Sequence, residues 1–107
     1  MKRLIEYSNS EDVYGINFTS LRDTGDYDDV IKIIRDNSIA SFVERKIIYA
    51  GWHETIEESI FSIDDYYFKV YLNDSIGKVA LILLCNPTIE NKNILRSIAE
   101  KVIAVKI

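Results

Sequence analysis

A chain of 107 residues, 48% hydrophobic and 28% charged, is the size of one domain, here residues 1–107, and can bury a core without disulfide or metal staples. Thirteen basic against seventeen acidic side chains give a net charge of −4, which argues against nucleic-acid binding through clustered cations and fits a basic partner better. The single Cys85 excludes an internal disulfide, no signal-peptide pattern is present, and the longest apolar run, Val79 to Cys85, is far short of the roughly 20 residues of a membrane span, so a cytoplasmic protein with no membrane anchor is expected.

Lys2 to Tyr7 has the composition of a first strand, closed by the turn-forming Ser8, Asn9 and Ser10. Val13 to Phe18 alternates Tyr14, Ile16 and Phe18 around Gly15 and Asn17, which fits either a second short strand or an ordered loop. Thr19 to Asp26 is a polar connection. Tyr27, Val30, Ile31 and Ile34 then recur at the spacing of an amphipathic helix, with Asp26 as the expected N-cap, Asp28 and Asp29 in the first turn and Arg35 near the end. Ile39, Phe42, Val43 and Ile47 repeat that spacing and predict a second helix, with Gly51 as the left-handed residue past its end. The alternative is a short helix to Arg45 and a strand from Lys46 to Trp52, because Ile47, Ile48 and Tyr49 are good strand formers.

The clearest pattern runs from Glu57 to Cys85. Tyr66, Phe68, Val70 and Leu72 alternate with Tyr67, Lys69, Tyr71 and Asn73, the period of a half-buried strand. With Asp64 and Asp65 as a two-residue hairpin loop, Ile63 faces Tyr66, Phe61 faces Phe68, Ser59 faces Val70 and Glu58 faces Tyr71. Lys78 to Cys85 is apolar on both sides from Val79 onward and predicts a central strand covered on both faces. Asn86 and Pro87 suggest an N-cap and first helical residue, followed by a terminal helix with the stripe Ile94, Leu95, Ile98 and Val102. The expected fold is α+β: a mainly antiparallel sheet, built as a three-strand meander that Leu4 to Tyr7 can extend, packed by helices that include a C-terminal one.

Residues 54 to 74 carry six acids against one base. An acidic surface interleaved with tyrosines can attract a cationic protein and then anchor it, and the candidate contact set is Glu54, Glu57, Glu58, Asp64, Asp65, Tyr67 and Tyr71. The competing explanation is that these acids solubilise and protect an exposed strand. For catalysis the candidates are few. His53 is the lone histidine, flanked by Trp52 and Glu54, and no glycine-rich phosphate loop or Gly-x-Ser-x-Gly element accompanies it. Cys85 fits a buried small hydrophobe better than a nucleophile. The adjacent carboxylates Asp64 and Asp65 lack the further oxygens of a calcium loop. No catalytic set, metal site or cofactor is expected.

In its size, its acidic hairpin from Glu54 to Asp74, its tyrosines and its lack of a catalytic set, the chain resembles the small acidic cytosolic immunity proteins of bacterial toxin systems, especially those of contact-dependent growth inhibition. That resemblance implies a tight one-to-one complex with a cognate toxin domain, plausibly a basic nuclease whose active site the acidic surface would cover. Two alternatives stand beside it: a small enzyme using His53 as acid or base, and a structural subunit of a larger assembly.

Overall fold

The computed structural model describes residues 4–8, 13–52 and 54–106. Within them the chain runs β1 (Leu4–Ser8), β2 (Tyr14–Phe18), α1 (Thr24–Asp36), β3 (Ser41–Ala50), β4 (Thr55–Ile63), β5 (Tyr66–Asn73), β6 (Lys78–Leu83) and α2 (Ile89–Lys106). The strands form one open sheet in the order β1-β2-β6-β5-β4-β3, every neighbouring pair antiparallel. This is an α+β fold in which the expected three-strand meander is the inner part of a larger sheet.

The alternation of residues 57–73 becomes the β4–β5 hairpin in the expected register. Ile63 is opposite Tyr66, Phe61 opposite Phe68, Ser59 opposite Val70 and Glu58 opposite Tyr71. Asp64, the first loop residue, takes a positive φ of 51°, which the tight hairpin demands and an aspartate tolerates. Phe68, Val70 and Leu72 lie opposite Leu83, Leu81 and Val79 of β6, so this sheet face is apolar across the β5–β6 junction, while β4 adds Phe61 beside the polar Ser59 and Glu57.

Both helices cover that face. Tyr27, Val30 and Ile34 of α1 and Leu95, Ile98, Ala99 and Val102 of α2 are buried in one cluster with Ile16, Phe18, Phe61, Phe68, Val70, Leu72, Val79 and Leu81. Lys106 near the end of α2 reaches Asp29 at 2.6 Å and Asp26 at 3.7 Å, tying the helices together. Arg96 binds Glu6 of β1, and this guanidinium holds the Glu6 carboxyl below its ordinary range. Tyr66 donates its hydroxyl to the Asn91 carbonyl at 2.9 Å, so α2 is also fixed to β5.

Three expectations change. The first helix starts earlier: its N-cap is Asp23, whose carboxylate accepts from Asp26 N at 2.8 Å, while Asp26 returns the bond to the Asp23 and Arg22 amides. A reciprocal capping box satisfies more orphan amides than a cap at Asp26. At the other end, Asn86 and Pro87 precede α2 without starting it. Thr88 accepts from Asn91 N at 3.1 Å through its hydroxyl and from Lys92 N at 2.9 Å through its carbonyl, as a cap does.

The predicted second helix is a strand. Asn37 closes α1 with its side-chain amide on the Ile33 carbonyl, Ser38 turns the chain at φ 51°, and residues 41–50 then pair with β4. The β4 edge offers a row of backbone partners that a helix over these residues would leave unmet. Gly51 is therefore no helix end. It lies in the β3–β4 connection, its N–H on the Glu54 carbonyl at 2.8 Å, with the Tyr49 ring so near that an added Cβ would meet the ring within 2.4 to 2.7 Å.

As expected, β6 is an inner strand; the helices cover one of its faces, and side chains of the sheet itself cover Ala80 on the other. Ala80 of β6 is buried on the other face beside Asn17 and Tyr71, its neighbours in register. Tyr7 closes over this region, its ring against Gly15, where a Cβ would come within 2.5 Å of it. An aromatic lying over a glycine on the neighbouring strand supplies the cover expected on this second face.

Candidate docking surface

The expected contact residues all sit on or beside the β4–β5 hairpin, yet the sheet divides them. Glu57 and Glu58 are adjacent in sequence and point to opposite faces. Glu57, only 8% exposed, faces the helices with Ser59 and Phe61. There it accepts from Arg45 Nε at 2.9 Å and Nη2 at 2.7 Å. Its carboxylate and the desolvation of the pair act in opposite senses on the Arg45 guanidinium, and the hydrogen bond prevails, raising the pKa. The guanidinium also lies 5.8 Å from the Tyr27 ring centroid, and the Tyr27 hydroxyl shares a 2.6 Å hydrogen bond with Ser59 Oγ. Burial pushes that hydroxyl's pKa up to about 12. Glu57 thus joins a structural polar cluster under α1, away from any partner.

Glu58 is on the open face, in a 2.5 Å ion pair with Lys69. Tyr71 is opposite Glu58, and Tyr67 lies on the same face toward the hairpin turn. Lys78 rests 5.6 Å over the Tyr71 ring. The structure therefore does bring Glu58, Tyr67 and Tyr71 onto one face, but Lys69 and Lys78 come with them and offset the acid. Asp64 and Asp65 are exposed at the turn. Glu54 stands at the opposite end of β4, where it accepts from Ser75 Oγ at 2.8 Å. The nine residues of β4 separate these ends by about 30 Å at strand rise, so the hairpin acids form no single patch.

His53 lies outside the described residues. Cys85 is half-buried, its Sγ 3.8 Å from the Tyr67 carbonyl. Among the described residues, no group of three or more His, Cys, Asp or Glu side chains could hold a metal ion, and no helix is long and apolar enough to cross a membrane.

The surface that sequence reasoning missed is β3. All ten of its residues are exposed, and Phe42, Val43, Ile47, Ile48 and Tyr49 are large and apolar. Ile47 is 64% exposed, and Trp52, at the tip of the connection to β4, is 94% exposed. In register Phe42 and Ile47 stand opposite Phe61 and Glu57 on the helix face and Tyr49 opposite Ile56 on the open face, so the strand presents apolar side chains to both sides of the sheet. So many large apolar side chains left exposed along one edge strand mark an interaction site rather than the scattered exposure of an ordinary surface.

The strand is held firmly from behind. Phe42 packs edge-on against Phe61 at 5.7 Å, with Arg35 5.1 Å over its outer ring, and Arg45 is anchored by Glu57 and by Asp28 at 3.6 Å. Its backbone edge is also guarded. Register shifts between Phe42 and Glu44 and between Ile47 and Tyr49 mark bulges, and the charged run Glu44, Arg45 and Lys46 fills the interval between them. Bulges and charges at a free edge oppose indiscriminate strand addition. The arrangement displays apolar side chains while discouraging backbone pairing. The run Ile47, Ile48 and Tyr49 was the sequence signal for it.

No family model, curated protein or solved structure matches this chain.

Proposed function

We propose that this chain is a binding protein that neutralises a cognate basic protein, the role of an immunity protein, and that it docks through β3 and the Trp52 tip. The observation that carries this is the edge strand β3, every residue of it exposed and five of its ten large and apolar, held from behind by Phe61, Glu57 and Asp28. A monomer gains nothing in stability from such a surface, whereas a partner can bury it. Tyrosine and isoleucine held on a preformed strand lose little entropy on docking, and Trp52 in the adjoining connection adds a large aromatic contact. The net charge of −4 supplies long-range attraction toward a basic partner, and the exposed carboxylates of Glu44 and Asp28 border the apolar strip. The bulged, charged edge keeps copies of the chain from associating strand to strand. Asp64, Asp65, Glu58, Tyr67 and Tyr71 remain candidate contacts around this centre, and Glu57 becomes its support.

The test is photo-cross-linking in the source cells from a reactive residue at position 47, with position 100 on the exposed side of α2 as control. The partner captured from position 47 alone is then purified with the chain, and its own activity is assayed at increasing ratios of the two. Inhibition complete at one to one, lost with Ile47→Asp and weakened by salt, is the expected result. Capture from both positions, or inhibition untouched by Ile47→Asp, would overturn the proposal. A stable homodimer through β3 would favour the structural-subunit alternative instead.

A further inference from the structure

A second site lies on the other side of the sheet, separated from β3 by β4 and β5 and independent of the docking proposal. The registered pairs of β2 and β6 end at Asn17 opposite Ala80, and beyond that point the strands part. The gap is a cleft of about 470 Å³, within the range of small-ligand sites, whose wall includes Asn17, Thr19, Arg22, Gly77 and Lys78. Two cations and no carboxylate line it, in a chain whose net charge is −4. Among the described residues neither Arg22 nor Lys78 has an ion-pair partner.

Both cations are nonetheless positioned. The aliphatic stem of Arg22 lies along Gly77, where a Cβ would stand 3.5 to 3.6 Å from the arginine Cβ, Cγ and Cδ, and Gly77 has the positive φ of 63° that its turn needs. The Lys78 ammonium is held 4.6 Å from the Tyr7 ring centroid and 5.6 Å from that of Tyr71. Asn17 Oδ1 is buried with no hydrogen-bond partner. An orphaned buried acceptor is costly and calls for an explanation, and a donor supplied from the cleft is one.

We propose that this cleft binds a small oxyanion, a carboxylate or a phosphate, that also carries a hydroxyl or ammonium donor. The anion lies against Arg22 and Lys78, and the donor meets Asn17 Oδ1. Binding is read from amide shifts of isotope-labelled protein titrated with four probes: glycerol 3-phosphate, lactate, sulfate and glycerol. The expected result is saturable movement of the Thr19, Gly77 and Lys78 amides with glycerol 3-phosphate or lactate, weaker binding of sulfate, which has no donor, and none of glycerol. Whichever of the first two binds more tightly distinguishes phosphate from carboxylate. Arg22→Gln, at an exposed position, should weaken binding about tenfold or more, the size of one charge-assisted hydrogen bond. Asn17→Leu should remove the preference over sulfate without lowering the melting temperature, since an apolar group replaces an unsatisfied one. No saturable shift up to about 10 mM of either donor-bearing probe, which corresponds to affinity too weak for a built site, would overturn the proposal. So would equal binding of sulfate, or binding unchanged by Arg22→Gln, either of which means an adventitious ion only.

Discussion

Leu95→Ala tests how the sheet is covered. Leu95 is fully buried in α2, within the cluster that joins Phe61, Phe68 and Val70 to both helices. Truncation removes three carbons, worth about 2.4 kcal/mol at roughly 0.8 kcal/mol for each buried methylene. The cavity term brings the expected loss to about 3 to 4 kcal/mol, because a fully buried site in a cluster shared by the sheet and both helices can collapse only partly. At about 2.1 cal/mol/K per residue, a 107-residue chain has an unfolding entropy near 0.22 kcal/mol/K, so the midpoint should fall by about 13 to 18 °C. Urea unfolding followed by circular dichroism measures the loss directly, and an unchanged slope keeps the comparison within one transition. Ile89→Ala is the control. Ile89 opens the same helix but is 80% exposed, and its truncation should cost less than about 0.5 kcal/mol. If the two variants unfolded together, α2 would not be packed on this sheet face as described.

The two adjacent glutamates should cost alike although they face opposite sides of the sheet. Glu57→Ala strands Arg45 and Glu58→Ala strands Lys69, and because both carboxylates are largely buried each should cost about 1 to 3 kcal/mol, measured by urea midpoints. Ile47→Asp, on an exposed strand but opposite Glu57 in register, should cost about 1 kcal/mol or less of stability through like-charge repulsion while weakening partner binding at least tenfold by calorimetry, the difference expected of a contact residue that is not a core residue. For pH, desolvation of Asp26 raises its pKa, but the Arg22 and Asp23 amides and the Lys106 ammonium outweigh it, so the folded value lies below the ordinary 3.8. The unfolded chain therefore takes up the proton first. The stabilisation is fully present above the ordinary carboxylate range and is lost as pH falls through 3.8 and below. Denaturant midpoints from pH 6 to 3 should drop less steeply for Asp26→Asn than for the parent, and identical slopes would contradict the capping box as the cause.

Much of this architecture is local and therefore legible. The strict period of two through Tyr66 to Asn73 admits one burial pattern, because a one-residue slip would turn Phe68, Val70 and Leu72 out to water. Asp64 and Asp65 then fixed the hairpin register by loop length alone. Tyr27, Val30 and Ile34 likewise had only one way to bury a stripe. The start of α1 was missed by three residues because the Asp23 and Asp26 side chains are both competent caps, and the reciprocal bond between them selects the earlier one.

The fate of residues 39–50 was not local. Ile39, Phe42, Val43 and Ile47 satisfy a helical stripe, and two bulges disguise the alternation that would have marked a strand. What decides between them is the unpaired edge of β4, which exists only once the sheet has formed. The candidate site shared this ambiguity. Counting acids along the chain grouped Glu54, Glu57, Glu58, Asp64 and Asp65. The pleat sent Glu57 inward and Glu58 outward, and the length of β4 set the others at opposite ends. Composition determined that the surface is acidic and the sheet amphipathic. Only the tertiary structure decided which acids are neutralised by Arg45 and Lys69, and which apolar residues are left facing water on β3, because both depend on which strand lies at the edge.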